Sequence, residues 1–326
     1  TQILEALKTG TRQIYDLPGV YTRKGYTTSP PPQLASAEIN QPARELVNFT
    51  PYFRGWKKKR GYTSLLLNTS RGCPYQCAWC SKPVFGVSYR QRDAAAVVQE
   101  MQELKRKYNP ARLWFTDDVL FFNKNWLVEF SEQINRTGIS IPFECLMRVD
   151  GVTPEILNLL KQAGCICIWY GAESGSQKMI NKMQKQFTVA QIKAAVTGTK
   201  SAGISVGLFI MLGYPGEEIA DIELTRMLLH DANPDYCGLA LAYPIEGTRF
   251  YNEVRDILLP SFRPGRLENN NRVTLRTQYP QLFYNLTLRL FAKENYLRHQ
   301  PGVMFSERIK YYGYRALYEI YKSRLS

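Results

Sequence analysis

The sequence predicts an α/β protein: a parallel (β/α)6 partial TIM barrel with an irregular N-terminal linker and a mostly helical C-terminal extension. From Thr63 onward, short apolar runs alternate with helical patterns about six times. Runs such as Cys165-Ile166-Cys167-Ile168-Trp169-Tyr170 are apolar on both faces, as buried parallel strands are. The length of 326 residues accommodates one barrel-sized domain with additions, or roughly two domains of about 150 residues.

Residues 1–9 read as the end of a helix, followed by loop-like sequence with Asp16-Leu17-Pro18-Gly19 and the stiff run Ser29-Pro30-Pro31-Pro32. Residues 40–62 read as irregular and basic, so 1–62 is expected to be linker. Strands are expected at 63–68, 112–116, 141–147, 165–170, 205–212 and 236–243, placing the core at 63–250. Thr153-Pro154-Glu155 starts one intervening helix and Gly164 stops it. Thr188 and Gln191 make a capping-box pair for another, which Gly203 ends. Residues 251–326 look largely helical, and Tyr311, Tyr314, Tyr318 and Tyr321 recur at the spacing of a packing stripe.

Hydrophobic residues make up 44% and charged residues 21%, which supports a large core and excludes disorder. No stretch approaches the ~18 apolar residues of a membrane span, and Thr-Gln-Ile-Leu-Glu lacks the regions of a secretion signal. A cytoplasmic setting is therefore expected. With Thr1 rather than Met first, the chain is expected to begin inside a longer protein.

The net charge is +14 and mostly local. Arg54, Lys57, Lys58, Lys59 and Arg60 give +5 within residues 51–62, and residues 281–326 carry eight Lys/Arg against three Glu. Nucleic acid, an anionic membrane surface, an acidic partner, a carboxylate-bearing substrate and a merely solvated face all fit such charge.

Three of the seven cysteines lie in Arg71-Gly72-Cys73-Pro74-Tyr75-Gln76-Cys77-Ala78-Trp79-Cys80, directly after the first strand. Cys145, Cys165, Cys167 and Cys237 fall in predicted strands and read as small buried hydrophobes. A structural zinc site would need a fourth ligand, and the two histidines, His230 and His299, sit alone far downstream. Disulfides do not suit the expected compartment or the odd count. A 4Fe-4S cluster fits better than zinc, because three thiolates leave one iron open to a substrate or cofactor.

Cys-x3-Cys-x2-Cys with an aromatic before the last Cys, carried by Cys73, Cys77, Trp79 and Cys80, resembles the signature of the radical S-adenosylmethionine (SAM) superfamily. That resemblance implies that SAM chelates the open iron and is cleaved by one electron to methionine and a 5′-deoxyadenosyl radical, which abstracts hydrogen from substrate. It implies further cofactor-binding positions at strand C-terminal ends. Thr116, Asp117 and Asp118 follow strand 2 and would receive the SAM ammonium, and Arg148 follows strand 3 and would pair with its carboxylate. The plain alternatives are a helix N-terminal acid pair at Asp117-Asp118 and a bridge from Arg148 to Asp150. Glu173 and Ser174 would hold the ribose, Gly213 would let backbone approach the adenine, and Tyr243 closes the set after strand 6.

Trp114-Phe115-Thr116-Asp117-Asp118, Arg90-Gln91-Arg92 and Tyr170-Gly171-Ala172-Glu173-Ser174-Gly175 are similar to the class in which the core follows a cobalamin-binding domain. Within it, the likeness is to anaerobic magnesium-protoporphyrin monomethyl ester oxidative cyclases and, more distantly, hopanoid C-methylases. The resemblance implies cobalamin in the full-length protein, about 150–200 residues of Rossmann-like domain upstream, and C–H activation of a small, tetrapyrrole-like or lipid-like molecule. It also implies a flavodoxin or ferredoxin as one-electron donor, which Arg54 to Arg60 would suit as a docking patch. The alternatives are a radical SAM enzyme modifying tRNA, prompted by the charge, and a non-catalytic metal-binding protein on the same fold.

Overall fold

A computed structural model describes residues 8–9, 21–22, 25–26, 41–80, 89–120, 123–260, 262, 273–300, 302 and 304–325. The Ser29–Pro32 run and most of residues 1–9 lie outside them. By contact, the chain divides into Thr1–Pro42 and Ala43–Ser326. In the first unit Tyr21–Thr22 pairs antiparallel with Gly25–Tyr26.

In the second unit six strands form one parallel sheet in sequence order: β1 (Ser64–Leu67), β2 (Arg112–Phe115), β3 (Phe143–Met147), β4 (Cys165–Glu173), β5 (Ser205–Leu212) and β6 (Tyr236–Leu241). Each crossover carries helix, as parallel strands require. One sheet face, with Leu67, Phe115, Cys145, Tyr170 and Leu208, is packed against the helices and fully buried. Phe115 stacks on Phe143 at 4.5 Å between ring centres.

The start signals act as expected. The Thr153 hydroxyl accepts the Ile156 N–H of the helix Pro154–Gln162, and Thr188 and Gln191 complete both halves of a capping box at Val189–Ser201. Beyond the barrel, Gln281–His299 delivers Phe283, Tyr284, Leu290 and Phe291 to the same core. Phe305–Leu325 follows and buries Tyr318, flanked by the half-buried Tyr311, Tyr314 and Tyr321.

Three expectations need correction. Residues Thr50–Arg60 are a helix, α1, rather than irregular chain; Pro51 sits in its first turn and Gly61 closes it in the left-handed region. Its own residues are not buried, so the Lys-rich sequence shows no apolar period; contacts of Phe49 with Phe53 and Tyr108 fix its start. The fourth strand runs on through Gly171 and Ala172 to Glu173, with a register break against β5. The sixth stops at Leu241, leaving Tyr243 in the loop beyond.

Candidate active site

The cysteine loop leaves β1 and is fastened at its base. Ser70–Arg71 pairs antiparallel with Arg90–Gln91 across the two ends of the loop. The Arg92 N–H donates to Thr69 O at 2.8 Å, and Gln91 Nε2 donates to Leu120 O at 2.7 Å. Asp117 Oδ1 accepts from the Thr69 N–H (2.9 Å) and hydroxyl (3.0 Å), and from the Ser70 N–H and hydroxyl. Asp117 is 1% exposed, and burial pushes its carboxyl up to about 7 against the opposing hydrogen bonds of Ser70 and Thr69. Oδ1 of this residue, expected at the SAM ammonium, is committed to the loop, and Oδ2 is buried without a hydrogen-bond partner. Thr116 and Asp118 are exposed at the end of β2, Thr116 donating to Leu67 O at 3.2 Å.

Cys73, Cys77 and Cys80 are half-buried cysteines on this loop. The Cys80 N–H donates to Cys77 O at 3.3 Å, and the Ala78 N–H donates to Met183 O at 2.9 Å. Among the described residues no three His, Cys, Asp or Glu side chains are gathered tightly enough to hold a bare metal ion. Elsewhere, burial pushes the Cys237 thiol up to about 12, and Cys145 and Cys167 also upward. His230 is exposed, and His299 is half-buried in the last turn of its helix.

Arg148 takes the local one of its two expected partners, Asp150. Its Nε and Nη2 donate to Asp150 at 2.9 and 2.8 Å, and Nη2 also donates to Lys185 O at 2.6 Å. The guanidinium lies 3.7 Å above the Tyr75 ring centre, with Nη1 3.8 Å from Cys77 Sγ. Arg148 thus braces the cysteine loop. The Ser174 hydroxyl, expected at the ribose, is completely buried, 3.1 Å from Thr225 Oγ1, and accepts the Ser176 N–H at 3.1 Å.

Glu173 enters the site with a partner that sequence reasoning missed. The Lys185 ammonium donates to Glu173 Oε1 at 3.0 Å, both side chains nearly buried, and lies 5.5 Å from the Trp79 ring centre. Trp79 Nε1 is itself buried without a partner. Glu173, Gln184 and Gln186 all take left-handed backbone (φ +63°, +54° and +59°), a conformation that costs energy in non-glycine residues and concentrates at functional sites. Gly213 lines a cavity of about 180 Å3 with Tyr214, Glu217, Arg276, Thr277 and Tyr284, and its N–H donates to Glu217 Oε2 at 2.6 Å. Glu217 is buried, which pushes its carboxyl up to about 8. Tyr243 is half-buried with its ring 5.9 Å from that of Phe262.

The sequence profile of the radical SAM superfamily matches residues 67–229, the span from the last residue of β1 into the helix before β6. The chain belongs to this superfamily. As a radical SAM enzyme its cofactors are a 4Fe-4S cluster and SAM, and the donor set fits the cluster: three soft cysteine sulfurs within eight residues of one loop.

An uncharacterised methyltransferase of Pyrococcus horikoshii is 27% identical over 256 residues, covering 77% of this chain and 54% of that protein. The anaerobic magnesium-protoporphyrin IX monomethyl ester cyclase of Rubrivivax gelatinosus is 27% identical over 191 residues, covering 58% and 34%. The chain thus spans about half the length, or less, of the curated relatives it matches. Among solved structures, the cobalamin-dependent radical SAM enzyme OxsB with aqua-cobalamin bound superposes with a TM-score of 0.68 at 14% identity, over 99% of this chain and 55% of that one. The radical SAM methyltransferase TsrM of Kitasatospora setae, with cobalamin and a [4Fe-4S] cluster bound, gives 0.63 at 22% identity, over 78% and 54%. Both likenesses establish the fold. No helix among the described residues is long and apolar enough to cross a membrane.

Proposed function

We propose that this chain is the catalytic core of a cytoplasmic radical SAM enzyme that activates a C–H bond of a small molecule for methyl transfer or oxidative ring formation, with cobalamin used by the full-length protein. The observation that carries the reading is the Cys73–Cys77–Cys80 loop held at the C-terminal end of a six-strand parallel half-barrel. Cys73, Cys77 and Cys80 would hold a 4Fe-4S cluster, which, once reduced by an external one-electron donor, would supply the chemistry for reductive cleavage of SAM. The relatives named above as methyltransferase and cyclase support the two reaction outcomes, and the class likeness of OxsB and TsrM supports cobalamin.

The roles of the chain's own residues follow from their surroundings. Asp117 and the Ser70–Arg71 ladder hold the loop in place. Arg148 sets a fixed positive charge 3.8 Å from Cys77 Sγ and braces the loop there through the Tyr75 ring. Lys185, beside Trp79, takes the carboxylate-binding role first expected of Arg148, with Glu173 holding its ammonium in place. Thr116 and Asp118, exposed at the end of β2, remain the acceptors for the SAM ammonium. The basic helix α1 is the docking face for an acidic flavodoxin- or ferredoxin-like donor.

The test is anaerobic reconstitution with iron and sulfide, followed by assay of 5′-deoxyadenosine formed from SAM. Iron bound by the parent and lost in Cys73→Ala, Cys77→Ala and Cys80→Ala, together with product formation, supports the reading. Zinc at the loop, or no metal at all, refutes it.

A further inference from the structure

The helix Phe305–Leu325 carries aromatic and aliphatic side chains on two opposite sides, and only one of them is covered. The inner side holds Tyr311, Tyr314, Tyr318 and Tyr321, packed against the core. On the outer side Phe305, Ile309, Tyr312, Ala316 and Ile320 follow one another at intervals of three and four residues, which sets them in one stripe at 3.6 residues per turn. That stripe faces solvent: Phe305 is 77% exposed, Tyr312 61%, Ile309 55% and Ile320 46%. Phe305, Ile309 and Tyr312, with Arg308, line an open cavity of about 600 Å3. A single exposed apolar residue needs no explanation, whereas a contiguous row marks a surface that meets something apolar.

Charge decides what it meets. The helix carries Arg308, Lys310, Arg315, Lys322 and Arg324 against two acids, Glu307 and Glu319. Both acids are engaged within the protein, Glu307 with Lys293 and Lys310, and Glu319 with Arg226 and Lys322. By the same helical period, Arg308 and Arg315 lie along one edge of the stripe and Lys310 and Arg324 along the other, all four exposed. An apolar stripe bordered by cations matches a surface with hydrocarbon beneath and negative charge at its rim. A second copy of the chain matches it poorly. The stripe is about 22 Å long and about 10 Å wide, roughly 220 Å2, against about 800 Å2 for each partner in a standard protein interface. Because both edges are cationic, pairing two copies through it would also set cation against cation.

We propose that this helix rests on the surface of a bilayer containing anionic phospholipid, with Phe305, Ile309, Tyr312 and Ile320 among the acyl chains and Arg308, Arg315 and Arg324 on headgroup phosphates. No helix among the described residues is long and apolar enough to cross a membrane, so the contact is peripheral. The inner tyrosine stripe stays on the core throughout, so the barrel needs no rearrangement to make it. The contact requires neither cluster nor SAM, and it stands or falls apart from the radical chemistry.

The test is co-sedimentation of the chain with vesicles of phosphatidylcholine alone and of phosphatidylcholine with phosphatidylglycerol in equal parts, at low salt. The expected result is binding at least tenfold tighter to the anionic vesicles. Phe305→Ser/Ile309→Ser, which leaves the net charge unchanged, should weaken that binding at least tenfold. Arg308→Glu/Arg315→Glu should abolish the preference for anionic vesicles. All four positions are exposed, so the thermal melts of both variants should match the parent's. Undiminished binding in Phe305→Ser/Ile309→Ser reduces the effect to general charge attraction and overturns the proposal. Equal binding of the parent to both vesicles, or binding to neither, overturns it as well. A dimer seen in sedimentation velocity without lipid, and dissociated by Phe305→Ser/Ile309→Ser, would assign the stripe to a second copy instead.

Discussion

Lys185 and Glu173 form an ion pair of 3.0 Å whose side chains are only 7% and 5% exposed, directly beside the ring that precedes the last cluster cysteine. Such a pair is weak evidence for stability, because desolvation of both charges offsets their attraction. Its position argues for a functional reason. Lys185 comes from a segment that also holds the cysteine loop through Met183 O and anchors Arg148 through its own carbonyl.

Removing one partner leaves the other charge buried alone, so Lys185→Met should destabilise the fold by about 3–5 kcal/mol. The double variant Lys185→Met/Glu173→Leu should recover most of that loss in denaturant melts. It should still bind SAM at least tenfold more weakly than the parent, as read by equilibrium binding to the reconstituted protein. Recovery of SAM affinity along with stability would reduce the pair to a structural role.

Asp117 and Glu217 predict a pH dependence of stability. Burial raises them to about 7 and about 8, so the folded protein keeps protons that unfolded carboxyls have released. The unfolded chain therefore binds fewer protons between about pH 4 and 8, and stability falls as pH rises through that window, by at most about 1.4 kcal/mol per pH unit per group. Asp117→Asn retains the Oδ1 acceptor for Thr69 and Ser70 but has no proton to lose. Its unfolding free energy should fall less steeply between pH 5 and 7 than the parent's; an identical slope would contradict the assignment.

The loop's protein-side anchors predict what happens when iron is removed. Thr69, Ser70 and Ala78 are held by Asp117 and Met183 without metal. Chelation of the cluster should bleach its visible absorbance and abolish 5′-deoxyadenosine formation, yet leave the far-ultraviolet circular dichroism and the main cooperative melt in place. By contrast, Asp117→Ala frees the base of the loop and should lower the iron bound on reconstitution several-fold.

Much of this was legible in the sequence because it was local. The β/α alternation, both Thr caps and the tyrosine stripe depend on neighbours within a few residues, and the cysteine spacing lies within eight. What the sequence left open is which of several partners a side chain takes. Arg148 is paired two residues on with Asp150, a local option that the sequence leaves level with a cofactor carboxylate. Lys185 carries no motif and acquires meaning only when β4 brings Glu173 to it. Trp169, Phe209 and Tyr236 meet only because strand register brings them together, so no sequence pattern shows their stacking.

Helix α1 predicts a difference between electron sources. Lys57, Lys58, Lys59 and Arg60 occupy its last turn, where they complement the negative end of the helix dipole, and none of its residues is buried. Reversing charge at Lys57, Lys58 and Lys59 to Glu should thus leave the core intact while destroying the field that steers an acidic carrier, an effect read in association rate and strongest at low salt. SAM cleavage driven by flavodoxin or ferredoxin should slow at least several-fold at low ionic strength, and the deficit should shrink as salt screens the parent's advantage. Cleavage driven by dithionite, a small reductant that needs no docking face, should be unaffected. Equal loss with both reductants would mean that the substitutions damage the core rather than the encounter, and the patch would then have no part in electron delivery.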